Sequence, residues 1–416
     1  MLYALILIVV LFRALFLVLY RTSRNIGYII PFFLECVFIY PFVIVEYIGL
    51  KWNYYGFFTL YLSILSIQMG FLYISNLPRI KTTFILRSKA YLWFILISIF
   101  IYAAGVLSNF KGVNVFDFSM ANYLAISNSS ALDRYSGEQS LSILYRIGSI
   151  LGYFSVFSLG SILAMDKLKV AGSLRINISL TVFLFLVALL DSFLMAARAG
   201  MMMMTFCFIS SYFVFSQTQS SGRTIGLSKL TIIKFILSFA GVFLFFLVIQ
   251  IFRGGKEEFD LIGIVGHLMT WFFGHISVFS LWISDVDITS SLGLGINTFA
   301  GLADLMGVKE RSSGIYGAIN IGDGRESNIY TALRPVIEDW TLFGMAALYF
   351  LFGFLISNLI KTKNVVFKKI LVFISVAIVL FLMWSFVTSI YVYNTIIFSF
   401  VIYIMFISLF VKMRIE

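Results

Sequence analysis

Charge is what this sequence has least of: only 12% of its 416 residues are Asp, Glu, Lys or Arg, whereas 61% are hydrophobic. A soluble domain of that length has too little polar surface to cover so much apolar material. A water-soluble globular fold is therefore excluded. Cysteine is nearly absent, and Cys36 and Cys207 both sit inside apolar runs. That leaves no disulfide framework and no cysteine-based metal site. Histidine is as scarce. His267 and His275 stand eight residues apart, about 80° around a helix, and too far from other ligands for a metal pair. No P-loop or other nucleotide-binding signature occurs, and no repeat with a 20–50-residue period.

What is present is apolar and long. The mean hydropathy is +1.01, and runs near 20 residues, the length that spans a bilayer as a helix, recur along the chain. These define an all-α polytopic membrane protein. Spans are expected at 2–20, 27–50, 55–76, 90–108, 142–165, 176–192, 199–216, 231–252, 341–360, 370–389 and 393–411, eleven in all. The N-terminal "MLYALILIVVLFRALF" has no positive n-region and no small-residue cleavage site, and reads as a first span rather than a signal peptide.

The formal charge of +11 follows from topology rather than from nucleic-acid binding. Arg21/Arg24, Arg79/Lys81/Arg87/Lys89, Lys167/Lys169/Arg175, Arg223/Lys229/Lys234, Lys361/Lys363/Lys368/Lys369 and Lys412/Arg414 fall in alternate loops, and these hold 18 of the 30 basic residues. The positive-inside rule makes those loops cytoplasmic, with the N-terminus outside and the C-terminus inside. The chain then divides into N-terminal spans (1–252), a large outward loop (253–340) and C-terminal spans (341–416). A second outward loop covers 109–141. Within the large loop, "LIGIVGHLMTWFFGHISVFSLWI" (261–283) is apolar enough to cross. Crossing alone would put Lys361–Lys369 outside, so this run is expected to re-enter or lie along the interface, unless 292–307 crosses back.

Ionisable residues at membrane depth are expensive and call for a partner or a role. Arg13 and Glu35 lie symmetrically about the turn near Arg24 and should meet at similar depth, as a structural ion pair or as a substrate contact. Arg198, in the outward hairpin "DSFLMAARAG", either snorkels, pairs with Asp191, or binds an anion through its guanidinium. The large loop carries six cations and eleven acids, a net charge of −5, so any anion site there is a local cluster of arginines. "DVD" (285–287) has the D-x-D form of some metal-binding sugar transferases, in a single isolated copy. The charge in the loop concentrates at its end, in "DGRESNIYTALRPVIEDWTLFG" (323–344).

That end, the Arg198-Ala199-Gly200 hairpin and the Gly-rich "LGLGINTFAGLADLMG" (292–307) give the chain its likeness. It resembles the Wzy O-antigen polymerase family, whose loop ends in Asn-(Val/Ile)-Tyr-Thr, an acidic residue, an aromatic and Gly-x-x-Gly. Here these are Asn328-Ile329-Tyr330-Thr331, Asp339-Trp340 and Gly344, with Ala347 where the second glycine would stand. An Arg-x10-Gly spacing described for such loops fits Arg311 to Gly322. The resemblance implies a GT-C-like glycosyltransferase of the bacterial cytoplasmic (inner) membrane, with its site on the periplasmic or outer face. It implies undecaprenyl-diphosphate-linked oligosaccharides as donor and acceptor. Membrane lipids and a chain-length regulator protein are the implied partners; no cofactor, metal or nucleic acid is. An O-antigen ligase, or a flippase of lipid-linked glycans, is the alternative.

On this reading Arg198, Arg253, Arg325 and Arg334 face the diphosphate or acidic sugars, because guanidinium donates paired hydrogen bonds to phosphate oxygens. Arg253 precedes Gly254-Gly255, where backbone can approach an anion closely. Asn328 and Tyr330 join the substrate contacts; Tyr330 and Trp340 stack on sugar rings or belong to an interfacial aromatic belt. Asp339, Glu338, Glu326 and His275 are the candidates for a base near the acceptor hydroxyl. Asp339 alternatively serves the fold, as a charge at the start of the next helix.

Overall fold

A computed structural model describes residues 1–19, 26–73, 80, 82–109, 141–166, 171–195, 198–219, 261–286, 292–309 and 316–415. Most of it is helix. In chain order the elements are α1 (Leu2–Leu19), α2 (Ile26–Phe38), α3 (Pro41–Tyr47), α4 (Tyr54–Tyr73), β1 (Thr82–Leu86) and α5 (Tyr91–Ser108). These are followed by α6 (Ile143–Asp166), α7 (Ala171–Leu194), α8 (Arg198–Gln219), α9 (Leu261–Asp285) and α10 (Ala300–Leu305). The chain closes with β2 (Ile319–Gly322), β3 (Arg325–Ser327), α11 (Leu333–Lys361), α12 (Val365–Trp384), a 3-10 turn (Ile390–Val392), α13 (Asn394–Phe410) and β4 (Val411–Ile415).

Among the described residues, eight helical stretches are long and apolar enough to cross a membrane, and Leu2–Phe16 and Asn394–Phe410 are shorter apolar helices. The chain is a multi-pass membrane protein by that measure. The expected span 231–252 and most of the loop 109–141 lie outside the described residues, as do Arg253, Asp287 and Arg311.

Two spans differ from expectation for local reasons. The run 27–50 is broken at Ile39–Tyr40, because Pro41 opens α3, and proline at a first helical position removes no needed donor. The run expected at 370–389 begins at Val365 and ends at Trp384. Asn364 caps it, its Oδ1 accepting from Phe367 N at 3.0 Å. Lys368, taken from the sequence as a loop residue, lies inside this helix and is buried, its Nζ donating to Ile80 O at 3.1 Å.

The helices pack in neighbouring pairs: α11 along α4, α5 along α6, α6 along α8, with α13 on α6 and α12 on α8. α4 and α11 cross at Gly70 and Gly353, where a Cβ on either would collide with the other helix's backbone. Small residues at such crossings let helix backbones approach closely in a membrane, where packing replaces the hydrophobic effect. Arg13 and Glu35 do meet, Nη1 to Oε1 at 3.5 Å. Tyr40 and Gln68 also donate to Glu35, at 3.2 and 3.3 Å, which ties α1, α2 and α4 together around one carboxylate.

The bundle has two distinct ends. At one, β1 and β4 form an antiparallel ladder, Thr82 opposite Ile415 and Leu86 opposite Val411. Ile80 N bonds Ile360 O at 3.0 Å and Arg87 N bonds Phe410 O at 2.9 Å. Eight of the nine described cations of the alternate loops, Arg87, Lys89, Lys361, Lys363, Lys368, Lys369, Lys412 and Arg414, therefore gather here; this is the basic end. At the other, Lys51 N bonds Ile321 O at 2.7 Å, and Ala332 N bonds Ser385 O at 2.6 Å; this is the loop end. α9 belongs to it. Ser280 Oγ donates to Asn53 O at 3.0 Å, Gly274 backs onto Ser327 and Ile321, and Trp282 lies against Arg334. The alternative in which 292–307 crosses back does not hold: it forms a turn and the six-residue α10, far short of a span.

Candidate functional site

The site is built where the large loop returns to the bundle. Its first part is a hairpin. Asp323 and Gly324 have φ of 51° and 69°, and two successive positive φ values make a type I′ turn, for which Asp-Gly is favoured. β2 and β3 pair around it, with Asn320 opposite Glu326 and a bulge next to Gly322. Glu326 and Asn328 are exposed and Arg325 is half-exposed, so three of the residues singled out from the sequence are reachable on one small element.

The second part is the start of α11. This helix breaks at Thr341, whose φ of 63° and ψ of −178° lie where a β-branched residue is strained. Leu333–Trp340 is thus a short helix of its own, set on the loop end before the membrane-crossing stretch begins. Arg334 and Glu338, one turn apart on it, form an ion pair, Nε to Oε1 at 2.9 Å. The Arg334 guanidinium lies 3.8 Å from the ring centre of Tyr316, 4.2 Å from Tyr330 and 5.1 Å from Trp282. Each distance is within cation–π range, so three loop-end aromatic rings from three segments hold one cation. Arg334 keeps 18% of its side chain exposed, enough to be met from outside the protein.

Burial raises the titration of both Tyr316 and Tyr330, and the Arg334 charge only partly opposes this. The two phenols thus stay neutral and give the cation ring faces rather than phenolate charge. Tyr330 is 3% exposed and donates its hydroxyl to Gly317 O at 3.0 Å. Its ring is occupied by Arg334 and by Tyr316, 5.0 Å away. Expected as a substrate contact, it lies beneath the arginine and holds it.

The third part is the Gly-rich turn, and Asp339 governs it. Asp339 is fully buried. Its Oδ1 accepts from Asn297 N at 3.1 Å and Asn297 Nδ2 at 3.0 Å, and its Oδ2 from Thr298 N at 2.7 Å. Leu294 and Gly295 take φ of 49° and 97°, and the indole of Trp340 lies across Gly295. A carboxylate that accepts three hydrogen bonds inside the protein is a clamp on this turn. These bonds give Asp339 a part in the fold, as an anchor for 293–298 rather than as a charge on its own helix terminus. Trp340 correspondingly packs on the turn and on Phe299, 6.4 Å away.

His275 is 2% exposed, between the rings of Phe38 and Phe386 at 6.3 and 5.8 Å. It sits in the core and not at the surface where a base would meet an acceptor. Arg198 opens α8, but its side chain lies outside the described residues. Asp191, the partner considered for it, accepts hydroxyl hydrogen bonds from Tyr102 at 2.9 Å and Tyr145 at 3.1 Å.

The structure therefore sets Arg325, Glu326 and Asn328 on or next to the hairpin and pairs Arg334 with Glu338 on the short helix, while Asp339, Tyr330 and His275 are buried. The sequence reading missed Trp282, Tyr316 and Lys309, whose Nζ donates to Asn297 Oδ1 at 2.6 Å. One local signal was there to be read: Asp323-Gly324 marks a hairpin, which brings Tyr316 back beside Tyr330. Nothing local marks Trp282, which arrives on a different helix. Chemically, the arrangement offers a partly desolvated, aromatic-backed cation, with a carboxylate on the same helix and a second on the hairpin. Compared with family models, with curated proteins and with solved structures, the chain matches none.

Proposed function

We propose that this protein is a polysaccharide polymerase: a membrane glycosyltransferase that joins undecaprenyl-diphosphate-linked oligosaccharide repeat units into O-antigen or capsular polymer. The observation that carries the reading is Arg334, held by Trp282, Tyr316 and Tyr330 beside a Gly-rich turn. On this reading the chain has eleven spans in a GT-C-like arrangement, and the loop end faces the outer side of the cytoplasmic membrane.

The chemistry assigns the groups as follows. An acceptor hydroxyl attacks the anomeric carbon of the donor glycan, the bond from that carbon to the diphosphate oxygen breaks, and undecaprenyl diphosphate leaves with the electron pair. Arg334 and Arg325, with Arg198 and Arg253, meet the charge that develops on the leaving group through preorganised hydrogen bonds. Glu326 or Glu338 takes the hydroxyl proton. The pairing of Arg334 with Glu338 suits this, because the incoming diphosphate competes for the guanidinium and frees the carboxylate as it binds. Asp339 keeps the Gly-rich turn in place.

Reconstitution with a lipid-linked repeat unit tests the reading. Longer lipid-linked glycans are expected from the wild type and none from Arg334→Ala. Transfer of glycan to a non-isoprenoid lipid acceptor identifies a ligase, and movement across the bilayer without elongation identifies a flippase; either result overturns the proposal.

A further inference from the structure

The ladder at the basic end sorts its residues by face. Cross-strand partners in an antiparallel pair point the same way, and successive residues alternate. Thr82, Phe84 and Leu86 therefore share one face with Ile415, Met413 and Val411, and Thr83 and Ile85 share the other with Arg414 and Lys412. The first face turns inward: Thr82 and Val411 are buried, and Phe84 lies 4.8 Å from Phe215 of α8. Ile85, Lys412 and Arg414 on the second are exposed, and so are Arg87 and Lys89, which follow β1. Among the described side chains, no Asp or Glu lies at this end of the bundle.

The sidedness rule explains why cations are at this end but not how they are arranged, since it depends on the number of Lys and Arg in a loop. Two cations on one exposed ladder face, with two more directly after β1, call for a further reason. The surroundings supply one. β4 continues α13 without a break, and Leu409, in the last turn of α13, is 65% exposed. Trp93, at the start of α5, is 67% exposed, and Phe94 beside it touches Phe410, 5.5 Å away. An exposed apolar helix end, an exposed tryptophan and then a row of cations is the sequence of surfaces met on passing from acyl chains to headgroups.

We propose that the exposed face of the β1–β4 ladder, with Arg87 and Lys89, binds the phosphate headgroups of anionic phospholipids in the leaflet it borders. Lys412 and Arg414 reach the headgroups from the end of α13 and Arg87 and Lys89 from the start of α5, while Ile85 enters the acyl boundary between them. The ladder makes this surface rigid and holds the C-terminal strand to the segment ahead of α5.

Native mass spectrometry of the full-length protein, purified in micelles containing phosphatidylglycerol or phosphatidylcholine, reads retained lipid directly. The wild type is expected to retain phosphatidylglycerol in preference. Retention should fall about five-fold for each cation removed in Arg87→Gln, Lys412→Gln and Arg414→Gln. Lys363→Gln, in the turn between α11 and α12 and off the ladder, should change it little. If the triple variant does not purify folded, Lys412→Gln alone and a salt series on the wild type serve, since headgroup binding should weaken steeply by roughly 0.5 M salt. Equal retention of the two lipids by the wild type, or undiminished retention by the ladder variants, overturns the proposal. So does full displacement by inorganic phosphate at matched ionic strength, which would make free phosphate the ligand.

Discussion

The two ends of this molecule use charge in opposite ways. At the basic end Arg87, Lys89, Lys412 and Arg414 are exposed, and no described carboxylate neutralises them. At the loop end the charges that matter are partnered: Arg334 is paired with Glu338 and covered by aromatic rings, and Asp339 is buried under three hydrogen bonds. Solvated charges act by their number and are screened within about 10 Å at ordinary salt. Desolvated ones act by position, because an unpaired charge in a low-dielectric site costs several kcal/mol. The four exposed cations of the basic end should tolerate single substitutions, and Arg334 and Asp339 should not.

The largest effect is expected at Arg334. Arg334→Ala should abolish the polymer ladder in cells lacking the wild-type gene, leaving single-repeat glycolipid. Arg334→Lys should restore little, because an ammonium has neither the planar fork for a diphosphate nor the flat face for two tyrosines. Lys363→Gln at the basic end should leave the ladder normal. A normal ladder from Arg334→Ala would remove the distinction between the ends.

Next is Asp339. Its replacement by Ala leaves the half-buried Asn297 and buried Thr298 amides without their acceptor, and the loss at a buried amide costs about 1–3 kcal/mol. Proteolysis within 292–299 should accelerate by roughly tenfold or more, and polymer should fall with it. Asp339→Asn keeps an oxygen acceptor and should lie between Ala and wild type. A wild-type cleavage rate for the Ala variant, with activity lost, would restore Asp339 as a catalytic group.

A smaller effect belongs to the hairpin. Gly324→Ala places a Cβ at a φ of 69°, which costs about 1–2 kcal/mol. It should lower thermal stability by a few degrees and shift KM more than kcat, because it loosens the element carrying Arg325, Glu326 and Asn328. The smallest is Tyr316→Phe, which keeps the ring beneath Arg334 and should stay within about twofold of wild-type activity, whereas Tyr316→Leu should not. Equal effects of Phe and Leu would mean that the ring face contributes nothing.

Much of this architecture is legible from residues. Among the described residues apolar run lengths place most helices to within a few residues, and α12 starts earlier than the pattern predicts because Lys368 and Lys369 read as a loop. Without coordinates nothing shows that Lys368 reaches the Ile80 carbonyl from inside a helix. The knot of charge at 323–344 was visible, as was the chance that Asp339 served the fold. What it would clamp was not, since Asn297 and Thr298 lie some forty residues upstream. The burial of His275 was equally hidden, because Phe38 and Phe386 come from segments far apart in sequence.

The sequence by itself determined that the chain is a multi-pass membrane protein, where most of its described helices run and that the loops around Arg87, Lys361 and Lys412 share an end. Those properties depend on bilayer thickness and on summed loop charge, both readable residue by residue. The tertiary structure alone decided which charges meet: Arg334 with Trp282, Tyr316 and Tyr330, Asp339 with the Gly-rich turn, β1 with β4. The physical reason is that desolvation and hydrogen bonding act over a few ångströms, and only folding sets which residues come that close.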